Sequence, residues 1–282
     1  MRLILHVGHG KTGSSWLQSW LAINSHILAS KFNVRYIIDS SDPSLKGYFS
    51  MGNSHVIEPY LYGKVLHSSD LIDGLDPQGS LLFSGEKLMK ILPSCQYRLE
   101  EIASSLGTEQ PELVLMLRNP FDHALSLYNQ KVKSQGLRIS FESYLPMYDL
   151  PNMVLSFLRK YPAAYAFHYD NYASKLYAPL LDILSLPDNY GWDLPPFEIV
   201  NRSLSSSELQ LMRLLNGLLP VQSSRFIGDK LLSFRPNLAP EKTRFQFDNK
   251  LVREFNSRWS PVVDAINSFV PKESMLSLPT ID

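Results

Sequence analysis

Lys11 lies in the stretch of this sequence that is best suited to hold a phosphate group. Residues 3–7 form a short apolar run typical of a buried parallel strand, residues 8–13 contain three glycines, and a helix is predicted from Ser14. A turn of this kind directs backbone N–H groups, the positive end of the helix dipole and the Lys11 ammonium at one point. The sequence therefore predicts an anion-binding site between the strand and the helix.

The loop does not follow the Walker A pattern. Gly10, Lys11 and Thr12 match the last three positions of that pattern, but its first glycine would have to be Leu5, inside the strand. A Gly/Ser turn that merely opens a helix is the alternative interpretation at this point.

The 5′-phosphosulfate-binding loop of the sulfotransferases is similar to the run Lys11-Thr12-Gly13-Ser14-Ser15-Trp16. That loop usually reads Lys-Ser/Thr-Gly-Thr/Ser-Thr/Ser, and a Trp follows it in many members. The proline that usually precedes the lysine is Gly10 here, a departure expected to loosen the loop and to leave its donors intact.

A second stretch, which begins at Arg118, resembles the 3′-phosphate-binding motif of the same family. Residues 113–117 are the clearest strand of the sequence, and Asn119 and Pro120 predict the start of the next helix. The family motif places a serine eight residues after the arginine, here Ser126. A guanidinium and a hydroxyl can together bind a phosphate dianion. The two motifs stand in the order expected of the family, about a hundred residues apart.

The resemblance continues more weakly toward the C-terminus, in a pattern that is similar to bacterial members. Residues 167–170 resemble the late strand of the family, whose tyrosine, here Tyr169, lies near the nucleotide. The Arg-Lys-Gly loop of the cytosolic animal enzymes is missing. The third ligand of the 3′-phosphate is therefore unassigned, with Arg202 and Arg235 as candidates.

The resemblance implies 3′-phosphoadenosine 5′-phosphosulfate (PAPS) as donor and 3′,5′-diphosphoadenosine (PAP) as product. The reaction would transfer a sulfuryl group to a hydroxyl or an amine of an acceptor. Carried over position by position, the binding residues are Lys11, Thr12, Gly13, Ser14 and Ser15 for the 5′-phosphosulfate, Trp16 for the adenine, Arg118 and Ser126 for the 3′-phosphate, and Tyr169 beside the nucleotide.

Sulfuryl transfer needs in-line geometry, stabilisation of charge on the leaving oxygen, and a base for the acceptor proton. Lys11 can neutralise the leaving oxygen. Glu86 is predicted as the base because it follows strand residues 80–84, and parallel strands deliver ligand-binding residues at their carboxyl ends. Glycan sulfotransferases and many bacterial relatives carry a glutamate at this place. The alternative for Glu86 is an exposed residue at a helix start.

Three histidines complete the set of candidate proton acceptors. His9 and His55 are reserve bases, and His6, inside the first strand, is expected to have a structural role. The sequence shows no acidic residue of the Walker B type at a strand end and no His/Asp ligand cluster. No magnesium or zinc is therefore expected.

Two polar excursions, residues 39–79 and 135–165, are predicted to line the acceptor. Their hydroxyl, amide and imidazole groups suit a carbohydrate or a small metabolite, and their aromatic rings suit a phenol or a lipid equally well. Solvated loops are the alternative interpretation. The candidate acceptor contacts are His9, Tyr48, Asn53 and His55.

The composition is that of an ordinary globular protein. Lys and Arg number 27 and Asp and Glu number 27, so the formal net charge is zero and no global field recruits nucleic acid. Cys95 is the one cysteine, which excludes an internal disulfide. The sequence shows neither a secretory leader nor an apolar run long enough for a membrane span, and we expect a cytoplasmic protein.

These features together predict one domain, residues 1–282, with the P-loop-like fold that the resemblance implies. It is a three-layer α/β/α architecture with a mainly parallel sheet of about five strands. Two other functions remain open. A small-molecule kinase would need a full Walker A loop and a magnesium-holding acid, and a non-catalytic nucleotide-binding module would not need Lys11 or a base.

Overall fold

The computed structural model describes residues 1–48, 50–64, 71, 76–196, 203–234 and 248–280. Within these residues, five strands form one parallel sheet in the order β2-β3-β1-β4-β5. The strands are β1 (Arg2–Val7), β2 (Val34–Arg35), β3 (Ser80–Gly85), β4 (Glu112–Leu117) and β5 (Tyr165–His168). The predicted parallel sheet of about five strands is confirmed.

The helices with described bounds connect these strands and follow the last one. They are α1 (Ser14–Ile23), α2 (Ser25–Phe32), α3 (Ser54–Leu61), α4 (Leu88–Ile91), α5 (Gln96–Ser105), α6 (Pro120–Gln135), α7 (Phe141–Tyr144), α8 (Leu150–Lys160), α9 (Ala178–Leu184), α10 (Ser206–Leu218), α11 (Val221–Phe234) and α12 (Asn249–Asn267).

Both faces of the sheet are buried, as the near-continuous apolar strands require. Ile4, Leu82 and Val114 belong to a core cluster with side chains of α1, α2 and α9. On the opposite face Leu5 and Phe83 are equally buried, and α3 packs against β3. Helices therefore cover both faces, and the predicted three-layer architecture is confirmed.

The strands end at a common edge, which positions the candidate site. Val7 of β1 is opposite Gly85 of β3 and Leu115 of β4, and Leu117 of β4 is opposite His168 of β5. Because all the strands are parallel, the loops that follow them leave the sheet at this edge. The residues that directly follow the ends of β1, β3, β4 and β5 are the loop 8–13, Glu86, Arg118 and Tyr169.

The second strand is shorter than predicted, because a side chain takes over part of its pairing. The apolar run 34–38 predicted a strand, but β2 covers only Val34–Arg35. Beyond it, the buried Asn53 amide donates to the carbonyl of Leu82 (3.0 Å) and accepts from the N–H of Ser84 (2.7 Å). The Asn53 side chain thus continues the outer edge of β3.

The first helix is interrupted at Asn24, where the apolar stripe of the sequence is also broken. The Asn24 amide donates to the carbonyl oxygens of Trp20 and Asp193 and accepts from the N–H of Asp193. These bonds compete with the continuation of one helix, so α1 ends at Ile23 and α2 begins at Ser25.

The chain divides into two compact units, and the predicted count of one domain stays a prediction. The first unit comprises Met1–Arg118, Ser156–Val200 and Phe269–Met275, and therefore contains the whole sheet. The second comprises Asn119–Leu155, Asn201–Ser268 and Leu276–Asp282.

The second unit has its own apolar core, in which α6 packs against α10 and α11. The predicted helix start at Pro120 is confirmed. The pattern of Ser205 and Glu208 in the sequence predicts a capping box, and the structure confirms it at the start of α10. The polar face of α6 is partly structural, because the buried Asn129 amide binds the backbone of Leu204 in both directions. Residues 247–255 of the sequence predict the last long helix. This helix begins at Asn249 in the structure, and Phe247 lies outside the described residues.

Candidate functional site

The loop between β1 and α1 has an unusual backbone. Gly10, Lys11 and Gly13 have φ angles of 72°, 60° and 79°. A positive φ is uncommon for a residue with a side chain, and holding Lys11 there costs about 1–3 kcal/mol. Proline cannot adopt the φ of Gly10. This loop conformation therefore excludes the proline that usually precedes the lysine, and the expected loosening of the loop stays a prediction.

Arg118 holds the strained residue in place. Its Nη1 donates a hydrogen bond of 2.9 Å to the carbonyl oxygen of Lys11. The Arg118 guanidinium also lies over the Tyr169 ring, 5.0 Å from the ring centroid. Arg118 and Tyr169, which the sequence placed beside the nucleotide, thus lie next to the loop.

The N-terminus of α1 is open and electropositive. Gly13 occupies the N-cap position and has no side chain with which to cap the helix, and the first turn contains no acidic residue. The first N–H groups of a helix have no partner within it, and the dipole adds positive potential there. Helix α1 can therefore contribute to binding an anion.

Three buried hydrogen-bonding atoms around this loop are unsatisfied. They are Thr12 Oγ1, Ser14 Oγ and Arg118 Nε, and none has a partner among the residues that the structure describes. A buried polar group without a partner costs about 1–3 kcal/mol. All three atoms can donate a hydrogen bond, so a bound anion would satisfy them.

Glu86 lies against the loop. A Cβ placed on Gly10 would be 3.1 Å from Glu86 Oε2, and one placed on Gly8 would be 3.5 Å from Glu86 Cγ. The side chain of Glu86 therefore packs on loop backbone that carries no side chain. The alternative of an exposed glutamate at a helix start does not describe this half-buried position.

Glu86 and Lys11 interact electrostatically, and each has a shifted pKa. Burial raises the pKa of the Glu86 carboxyl, and Lys11 opposes this rise. Burial lowers the pKa of the Lys11 ammonium, Glu86 opposes this effect, and Arg118 adds to it. A carboxylate with a raised pKa is a better proton acceptor at neutral pH than an ordinary one.

The side chains near Gly13 leave no room for a larger residue. A Cβ on Gly13 would be 2.5 Å from Leu176 Cδ1 and 3.1 Å from Tyr169 Cε2. Leu176 was not identified from the sequence, since a lone leucine far along the chain gives no signal of such a contact.

Trp16 packs at the start of a short aromatic stack. Its ring is 6.0 Å from that of Tyr177, which in turn lies 5.0 Å from Trp20, with interplanar angles of 16° and 9°. Trp16 is half-buried. Its predicted packing on an adenine stays a prediction, and Tyr177, which orients it, was missed by sequence reasoning.

The histidines differ in their suitability as bases. Burial lowers the pKa of His6 and of His9 to about 4, so both are neutral and weakly basic near pH 7. His55 is exposed on α3, with Nδ1 3.3 Å from the Gly52 carbonyl oxygen. Glu86, in contrast, packs on the glycine loop, and burial raises the pKa of its carboxyl.

The remaining residues that the sequence predicted to bind the acceptor or the 3′-phosphate do not lie on the glycine loop. Tyr48 is exposed, whereas Asn53 is 1% exposed and binds β3, so its contact with an acceptor stays a prediction. Ser126 is half-buried on α6 and belongs to the second unit, and its part in the site also stays a prediction. Arg202 and Arg235 lie outside the described residues.

Two further findings concern the described part of the chain. No three His, Cys, Asp or Glu side chains there come together as a metal site. None of the helices described has both the length and the apolar composition needed to cross a bilayer.

No protein-family model matches the chain, and no curated protein matches it. Among solved structures, a sulfotransferase from Alicyclobacillus acidocaldarius is similar, with 12% identity over 96% of each chain and a TM-score of 0.48. Retinol dehydratase in complex with androsterone and the inactive cofactor PAP is also similar. It has 12% identity over 99% of this chain and 84% of its own, with a TM-score of 0.39. Both scores lie below 0.5, so the residues of this chain alone support the proposal that follows.

Proposed function

We propose that this protein is a sulfotransferase that moves a sulfuryl group from PAPS to a hydroxyl or an amine. The acceptor class we propose is a carbohydrate or a small metabolite. The observation that carries the proposal is the set of unsatisfied buried atoms Thr12 Oγ1, Ser14 Oγ and Arg118 Nε around a loop that also carries Lys11.

These groups fit a donor with two separate anionic centres. Thr12, Gly13, Ser14, Ser15 and the N-terminus of α1 would bind the 5′-phosphosulfate. Arg118 would bind the 3′-phosphate, and Trp16 and Tyr169 would pack beside the nucleoside. When bound, PAPS supplies an activated sulfuryl group.

Lys11 and Glu86 would divide the chemistry between them. Glu86 accepts the acceptor proton as the new sulfur–oxygen or sulfur–nitrogen bond forms. The bond between sulfur and the 5′-phosphate oxygen breaks, and Lys11 neutralises the charge that develops on that oxygen. The raised pKa of Glu86 suits this carboxylate to accept a proton near neutral pH, and its charge favours the ammonium form of Lys11.

Isothermal titration with PAP, 5′-AMP and magnesium-ATP tests this proposal directly. We expect PAP to bind at about micromolar strength and 5′-AMP to bind at least about tenfold more weakly, because it lacks the 3′-phosphate. Preference for magnesium-ATP would replace the proposal with a kinase, and binding of none of the three would refute a nucleotide site.

The substitution Thr12→Val tests the carrying observation. It removes a buried hydroxyl that has no described partner, so we expect the ligand-free protein to unfold at a higher temperature and PAP to bind more weakly. Thr108→Val, which removes a hydroxyl that donates a bond of 3.3 Å to the carbonyl oxygen of Gln110, is the control and should leave PAP affinity unchanged. Unchanged PAP affinity in Thr12→Val would remove Thr12 from the site.

A further inference from the structure

Three buried polar side chains beneath the loop form a network that the proposed chemistry does not use. Ser84 Oγ lies 2.8 Å from His6 Nδ1 and accepts a hydrogen bond of 3.2 Å from Gln18 Nε2. Each of the three residues is at most 1% exposed. We call these residues, His6, Gln18 and Ser84, the Ser84 network.

The network joins β1 and β3, which precede the proposed catalytic residues Lys11 and Glu86, to α1, which follows the glycine loop. His6 lies on β1, two residues before the glycine loop starts, and Ser84 lies on β3, two residues before Glu86. Gln18 lies on α1, one helical turn after Ser14. His6 and Ser84 are also direct partners in the register of the two strands.

Ser84 is held on its backbone as well as through its side chain. Its N–H donates to Asn53 Oδ1, and a Cβ on Gly52 would collide with its carbonyl oxygen. The residue that precedes Gly85 and Glu86 is therefore fixed from several directions. By contrast, Ser80 at the start of the same strand has no side-chain bond of this kind among the described residues.

Among the described residues, the network leaves two buried polar atoms without a hydrogen bond, which lowers the stability of the fold. His6 Nε2 and Gln18 Oε1 are both buried without a partner in the described part of the chain. Apolar side chains would fill this space without leaving polar atoms unsatisfied, but they would not fix one relative position of the two strand ends. Burial lowers the pKa of His6 to about 4, so the ring is neutral and its Nδ1 can accept a hydrogen bond from the Ser84 hydroxyl.

We propose that the Ser84 network positions Glu86 against Lys11, and that His6, Gln18 and Ser84 are positioning residues for the transfer reaction. This inference rests on the proposed function. It assigns no contact with the donor or the acceptor to the network.

The test compares Ser84→Ala with Ser80→Ala, which removes a buried hydroxyl from the same strand at its far end. Turnover is measured as release of PAP from PAPS with water as the acceptor, and binding is measured by titration with PAP. We expect Ser84→Ala to lower turnover about 10- to 100-fold, because small displacements of catalytic groups have large effects on rate. Its PAP affinity should stay within about twofold of the wild type, and Ser80→Ala should match the wild type in both.

The split between turnover and binding separates positioning from general loss of structure, which would weaken both. Gln18→Met removes the hydrogen bond from Gln18 to Ser84 with little change in volume, and it should lower turnover by a smaller factor without weakening PAP binding. This variant also tests the proposal if Ser84→Ala does not fold. Normal turnover with intact PAP binding in these variants would overturn the positioning role and leave the proposed function standing. A wild-type protein that does not bind PAP would overturn both.

Discussion

Arg118 Nη1 donates a hydrogen bond of 2.9 Å to the carbonyl oxygen of Lys11, although the two residues are 107 positions apart. Arg118 follows β4 and Lys11 follows β1, and these strands are neighbours in the sheet. The bond connects Arg118 directly to the glycine loop. An anion that engages Arg118 therefore also bears on the conformation of Lys11.

Two substitutions of Lys11 distinguish the effect of its charge on turnover from the effect of its backbone strain on stability. Lys11→Ala and Lys11→Gly both remove the ammonium, and we expect each to lower PAP release from PAPS by about 100-fold or more. Lys11→Gly should unfold at a higher temperature than Lys11→Ala, because glycine adopts a φ of 60° without strain. Equal turnover in the wild type and Lys11→Gly would show that the ammonium does not stabilise the leaving group.

Arg118→Ala is the counterpart on the other motif. It should weaken PAP binding more than it lowers turnover at saturating donor, since the guanidinium is proposed to hold the 3′-phosphate. Titration with PAP and 5′-AMP checks this: the variant should lose its preference for PAP. Wild-type affinity in Arg118→Ala would refute this role.

Glu86→Gln should abolish transfer, leave PAP affinity nearly unchanged and stabilise the fold above acidic pH. Burial raises the pKa of Glu86 above its ordinary value of 4.5, so the ionised carboxylate is disfavoured in the folded state. The wild type has the full stability contribution of this group below pH 4.5 and loses it as the pH rises through the folded pKa. Glutamine resembles the protonated form at every pH.

Thermal unfolding of both proteins between pH 4.5 and 8 measures this effect. The variant should melt at a higher temperature at pH 8, and the difference should shrink toward pH 4.5. Wild-type turnover should rise over the range in which the difference appears, because the same deprotonation creates the base. Normal turnover in Glu86→Gln would instead assign the base to a histidine.

Gly13→Ala should destabilise the protein by about 1–3 kcal/mol, because alanine is strained at this positive φ. Its Cβ would also meet Leu176 Cδ1 at 2.5 Å. Leu176→Ala in the same chain should relieve the contact and leave the backbone strain, so the double variant should unfold at lower denaturant than Leu176→Ala alone. Equal midpoints for those two proteins would contradict the strained conformation at Gly13.

The sequence predicts the features that depend on local pattern. The strand before Gly8, the helix from Ser14 and the place of Glu86 at the end of β3 follow from apolar runs, glycines and the parallel arrangement. The positive φ of Lys11 and its bond to Arg118 do not, because they depend on contacts between distant parts of the chain.

The short strand β2 is a case in which the local sequence predicts more regular structure than the protein forms. Residues 34–38 have the composition of a strand, and local propensity favours one there. The pairing that residues beyond Arg35 would need is made instead by the amide of Asn53, which is distant in sequence. Tertiary contacts thus override the local preference.

The Asn53 side chain, which pairs with β3 in place of a longer β2, also hinders the addition of another polypeptide at this edge of the sheet. A strand with unpaired N–H and C=O groups at a sheet edge is a template on which another polypeptide can add, and this is a common route to aggregation. Between Leu82 and Ser84 the template is occupied by a side chain that cannot propagate a further strand. The arrangement that fixes β3 beneath Glu86 therefore also ends the sheet at this position.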